Sequence, residues 1–143
     1  MLAVLRPIVR RPGKREDGQT LVEFALVIPV FLLVLFAIVD FGMAFHAWIT
    51  VTNSAREGAR LGAVRATSTE IEQRVRDTAT SLDQLNLGVA VTNAEGQPGE
   101  SVVVDVSYDY SLMTPLADLL NLISGGVIPA TLNLSSTADM RLE

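Results

Sequence analysis

From Phe24 to Val39 the only residue that is not apolar is Pro29, and Trp48 closes the longer stretch that begins at Gly18. Read as an α-helix, residues 21–48 extend about 40 Å, the thickness of a hydrocarbon core plus one interfacial layer. The pattern therefore predicts a membrane helix over 19–48, with Pro29 as a kink. Phe41, Phe45 and Trp48 fall on one face of it, either as an outer aromatic belt or as a buried stripe in the polar part of the chain.

No proline or strong breaker follows before Thr67, so the helix is expected to continue past the membrane. There Ser54, Gly58 and Gly62 recur every four residues, beside a row of Ala55, Ala59 and Ala63. Such a small-residue face lets another backbone approach closely, either the protein's own sheet or a helix of another subunit. Arg56, Glu57 and Arg60 lie on the other side, with Glu57 and Arg60 spaced to pair.

A capping box at Thr69 and Glu72 and the repeat Ile71, Val75, Ala79, Leu82 predict a second helix over 70–82. Strict alternation then predicts strands: Leu87, Val89 and Val91; Val102, Val104, Val106, Tyr108 and Tyr110; and, from Thr131, Leu132, Leu134, Ala138, Met140 and Leu142. AEGQPGE makes a turn between the first two. A short helix after Pro115, closed by Gly125 and Gly126, lies before the last. Because that strand carries the final apolar residues, loss of them is expected to damage the sheet. The expected fold is α+β: a long N-terminal transmembrane helix continuing into an extracytoplasmic helix packed on a small antiparallel sheet. Its parts are a basic leader (1–18), the span (19–48) and the outer domain (49–143).

Charge fixes the orientation. Arg6, Arg10, Arg11, Lys14 and Arg15 outnumber Glu16 and Asp17 in the leader, which places the N-terminus in the cytoplasm by the positive-inside rule. The leader carries about +3 while the whole chain is at −5, so roughly −8 falls on the residues after it, and nucleic acid is not an expected partner. With no cysteine, neither a disulfide framework nor a thiolate metal site is available.

Two charges fall in or beside the apolar run. Asp40 is expected near the outer interface as a solvated carboxylate. Glu23 interrupts the apolar start, and a carboxylate there either reaches back to water or finds a specific cation. Asp105 and Asp109 share the polar face of one strand and read as solvated. His46, the sole histidine, reads as an interfacial ring. No phosphate loop, dinucleotide fingerprint, nucleophile elbow or zinc pattern is present, so no cofactor, no metal and no enzymatic activity are expected.

A short basic leader, Gly18, Gln19, then Glu23 and Phe24 resemble the processing site of type IV prepilins and pseudopilins. The segment IVDFGMAFHAWITVTNSAREGARLGAV is similar to the TadE-like family of tight-adherence pilus proteins, whose apolar helix runs through a D-F-G step into an N-x-A-R-E-G-A-R block. Here that block is Asn53, Ser54, Ala55, Arg56, Glu57, Gly58, Ala59 and Arg60, and SYDYSLMTPL further on also looks like the family. The resemblance implies a minor pilin-like subunit in the bacterial inner membrane, cut by a prepilin peptidase between Gly18 and Gln19. It implies partners among other pilin-like subunits and pilus-assembly membrane proteins, with Glu23 pairing with a neighbour's free N-terminal amine. The alternative is an uncut single-pass anchor whose outer domain binds assembly components. Release by signal peptidase near residues 42–44 is a third reading, set against the length of the apolar run.

Overall fold

The computed structural model describes residues 16–125 and 131–143. The basic leader up to Arg15 and the predicted closing Gly126 lie outside the described residues. Helix α1 runs unbroken from Glu16 to Gly62, through Pro29. It is followed by α2 (Ser68–Thr78), β1 (Leu87–Thr92), β2 (Ser101–Ser111), α3 (Leu116–Ser124) and β3 (Thr131–Arg141). The strands form one antiparallel sheet in the order β1-β2-β3. Leu87 stands opposite Tyr108 and Ser101 opposite Arg141, so β2 is paired along its whole length. The α+β architecture with a membrane-length apolar helix and a small antiparallel sheet is as the sequence predicts.

Contacts divide the chain at Val34 and Leu35. In the first unit the described residues are α1 up to Val34. Leu21, Phe24, Leu26, Val30 and Phe31 are all more than 60% exposed there, an arrangement that in water would leave a whole apolar cylinder wet. The helix is apolar all round rather than on a stripe, as expected of a segment whose solvent is not water.

The second unit holds the core. The face of α1 carrying Ala44, Ala47, Val51, Ala55 and Ala59 is buried, together with Ile71 and Val75 of α2 and Val102, Val104 and Val106 of β2. Gly58 and Gly62 make this packing possible. A Cβ on Gly58 would lie 2.6 Å from Val75 Cγ2, and one on Gly62 would lie 2.9 Å from Val102 Cγ2. The small-residue face is therefore filled by the protein's own α2 and β2.

Three predicted boundaries shift, one of them the end of α2, which stops at Thr78 rather than Leu82 as the chain turns at Ala79. Helix α1 stops at Gly62 rather than near Thr67, because the chain closes a turn in which Arg65 N–H donates to Gly62 O and Arg65 adopts φ 64°. The capping box of α2 is made by Thr67 and Glu70, not Thr69 and Glu72. Thr67 Oγ1 accepts from Glu70 N–H, and Glu70 Oε2 accepts from Thr67 N–H at 2.9 Å. The sequence offers both threonines with a glutamate three residues on, and the fold uses the earlier one. The last residues are integral: Leu142 is 2% exposed, its N–H donates to Glu100 O, and Glu143 N–H donates to Ala63 O.

Candidate functional site

Gly18, Gln19 and Glu23 all lie exposed on the first turns of α1. Nothing approaches within 4 Å of a Cβ built on Gly18, so no packing demands a glycine at that position. One turn separates Gln19 from Glu23, and Gln19 Nε2 donates to Glu23 Oε1 at 2.9 Å. The two residues on which the resemblance places the cut and the assembly charge thus share one face of the helix.

The arginine-glutamate block splits by helical phase. Ser54, Ala55, Gly58 and Ala59 point into the core, as does Gly62 beyond the block, while Asn53, Arg56 and Arg60 face out. Ser54 Oγ is satisfied on its own helix, donating to Val51 O at 2.9 Å. Arg60 and Glu57 form the expected pair at 3.3 Å, exposed enough to contribute little to stability.

Asp40 differs from its expected place. It is 1% exposed rather than solvated. Its Oδ1 accepts from Met113 N–H at 2.9 Å and Thr114 N–H at 3.2 Å, and its Oδ2 accepts from the Thr114 hydroxyl. Thr114 Oγ1 in turn accepts from Leu116 N–H, the first residue of α3. The Tyr110 hydroxyl donates to the main-chain oxygen of Asp40 at 3.3 Å. Burial first, and then the negative charge of Asp40 and Tyr108, raise the Tyr110 phenol above its ordinary value, so it stays a donor through neutral pH. One carboxylate thus holds the turn between β2 and α3 against α1.

A signal for this burial exists in the sequence. Asp40 is four, seven and eleven residues ahead of Ala44, Ala47 and Val51, in phase with the buried stripe. The donors that make burial tolerable are more than seventy residues away and carry no pattern of their own. They lie in SYDYSLMTPL, so the two segments noted for their likeness to one family, D-F-G and this one, meet in space.

Asp105 and Asp109 are exposed as expected, with Thr137 donating to Asp105 and Asn133 Nδ2 to Asp109 at 2.7 Å. His46 is exposed. Among the described residues no group of three His, Cys, Asp or Glu side chains is arranged to hold a metal ion. Phe41, Phe45 and Trp48 form one wall of an open groove of about 350 Å³ whose far wall includes Leu112, Leu116 and Leu134. They are neither a free belt nor a buried stripe.

The fold thus joins a helix long and apolar enough to cross a membrane to an α+β domain in which a buried aspartate of the same helix holds the β2–α3 turn. The family described as TadE-like protein has a model that matches residues 18–60, from the glycine of the prepilin-like site to the last arginine of the block, and over that segment the chain is similar to this family. No curated protein and no solved structure matches the chain.

Proposed function

We propose that the protein is a minor pilin-like subunit of a tight-adherence pilus or secretion system, inserted with its N-terminus in the cytoplasm and acting mechanically rather than as an enzyme. The observation that carries this reading is the division of α1. Residues 18–32 are exposed on every side, while from Asp40 to Gly62 one face of the helix is buried in its own domain. A helix apolar on all sides serves equally in lipid and among like helices, which is what a subunit passing from membrane to filament requires.

Cleavage between Gly18 and Gln19 by a prepilin peptidase would leave Glu23 five residues into the mature chain. Its carboxylate would then pair with the N-terminal amine of a neighbouring subunit, offsetting its desolvation in the assembly. The accessibility of Gly18 and Glu23 supports this. N-terminal sequencing of protein extracted from membranes containing its prepilin peptidase tests it. A start at Gln19 is expected; a start at Met1 means an uncut anchor. Glu23→Ala is expected to keep the protein in the membrane and abolish its assembly.

A further inference from the structure

We infer that β3 is a docking edge for an extended strand of another protein, apolar at alternate positions and cationic among the others. The inference depends neither on the membrane reading nor on cleavage at Gly18.

The register fixes which main-chain groups are free. Leu142 N–H donates to Glu100 O, and these two residues continue the pairing of Ser101 with Arg141, so they form a hydrogen-bonded pair. In an antiparallel ladder such pairs recur at every second residue. The even-numbered residues of β3 therefore bond to β2, while the N–H and C=O groups of Thr131, Asn133, Ser135, Thr137, Asp139 and Arg141 point away from it. The bond from Asp109 N–H to Asn86 O gives the same alternation, since it turns the odd-numbered residues of β2 toward β1. Among the described residues no main-chain hydrogen bond reaches this open edge before Glu143, whose N–H donates to Ala63 O.

Exposed edges are ordinarily blunted by short length, charge, proline or a bulge. The other edge strand, β1, has six residues and lies against α2. By contrast β3 has eleven residues, pairs with β2 without a bulge, and has no charged residue and no proline from 131 to 138.

The same strand borders a hollow for side chains. Leu132 and Leu134 line the groove of about 350 Å³ whose other wall is Phe41, Phe45 and Trp48. A strand added to β3 lies about 5 Å from it and turns every second side chain to the face of the sheet that holds this groove. Main-chain bonds along the edge supply affinity, and an apolar hollow for alternate side chains supplies selection.

Charge selects the partner. The remaining side chains of the added strand stand on the opposite face, where Asp105, Asp109 and Asp139 are exposed. Asp105 and Asp109 accept from Thr137 and Asn133, and none of the three is paired with a cation among the described residues. The sequence has no lysine or arginine from 77 to 140. A strand with cations at those positions is attracted, and one with acids is repelled. A second copy of this chain does not meet the requirement, because its strands bring the same three aspartates against one cation, Arg141.

Trp48 is the sole tryptophan and is 44% exposed, so its fluorescence reports on the groove. The full chain in phosphatidylcholine nanodiscs is titrated with the blocked peptide KVTVKVTVK, and amide exchange is read residue by residue by NMR. A blue shift of Trp48 emission is expected, with exchange slowed several-fold at 133, 135, 137 and 139 and little changed at the even-numbered positions already bonded to β2. The non-alternating peptide KVVTKTVVK and the charge-reversed EVTVEVTVE are expected to bind several-fold more weakly. Ser135→Pro removes one outward N–H without touching the ladder to β2 and is expected to abolish the protection. Should that variant unfold, the odd-even pattern in the unaltered chain still decides. No protection at the odd positions, with or without a shift of Trp48, overturns strand addition. Equal binding of the two charge forms overturns the cationic partner. Odd-position amides that are already slow without peptide, and slower as protein concentration rises, assign the edge to a second copy and overturn the proposal.

Discussion

The two halves of α1 share one helical geometry and follow opposite rules of side-chain choice. Between residues 24 and 34 the side chains are mostly large and apolar and nearly all exposed. Between 40 and 62 the buried positions are Asp, Ala, Val, Ser and Gly, small enough for α2 and β2 to approach closely. Bulk facing outward suits a surrounding that is supplied from elsewhere, lipid or another helix. Small size facing inward suits a partner in the same chain. The comparison extends to the two carboxylates of the helix: Glu23 stands exposed at one end and accepts from Gln19 one turn away, whereas Asp40 is buried and has its donors on the far side of the domain.

The largest effect should separate those carboxylates. Asp40→Ala leaves two main-chain N–H groups and the Thr114 hydroxyl without their acceptor, at about 1–3 kcal/mol for each group that stays buried and unsatisfied. Denaturant unfolding in detergent should therefore register a loss of at least about 3 kcal/mol, while Glu23→Ala leaves the same curve unmoved. Equal effects from the two substitutions would refute the division of the helix.

Next in size are the packed ends of the core. Leu142→Ala removes a side chain that is 2% exposed and should cost about 2–4 kcal/mol, read from the same unfolding curve. Gly58→Ala and Gly62→Ala gain helix propensity of about 1 kcal/mol but must push apart valine methyl groups already in contact, so a net loss of about 1–2 kcal/mol is expected. Gly42→Ala meets nothing within 4 Å and should be neutral or stabilising. If Gly58→Ala behaves like Gly42→Ala, the close approach of α1 to α2 is wrong.

The smallest effect belongs to the α2 cap. Thr67→Ala should cost about 1 kcal/mol by thermal melting. Hydrogen bonds from the Thr67 main chain and then its hydroxyl lower the Glu70 pKa below its ordinary value. A lowered folded value means that the carboxylate contributes stability above its unfolded pKa and loses it as pH falls through the folded value. Thr67→Ala should therefore flatten the acid side of the stability profile and leave neutral pH behaviour otherwise unchanged. Glu100, lowered by Gln97 N–H and Asn93, adds a slope of the same sign.

Periodicity by itself determined the long apolar helix, the amphipathic α2, the three alternating strands and the small face of α1, because each of these is a local repeat that burial reads directly. The likeness of residues 18–60 to the TadE-like family was legible for the same reason, since it lies in short local spacings. The tertiary structure decided what the repeats left open. It gave the small face to the protein's own sheet, set the cap of α2 two residues earlier and ended α1 at Gly62. Above all it turned Asp40 from a solvated carboxylate into the clamp of the β2–α3 turn. A lone aspartate after an apolar run reads as an exit into water, since burying a carboxylate is costly. Only the fold brings main-chain donors from the far side of the sequence to offset that cost.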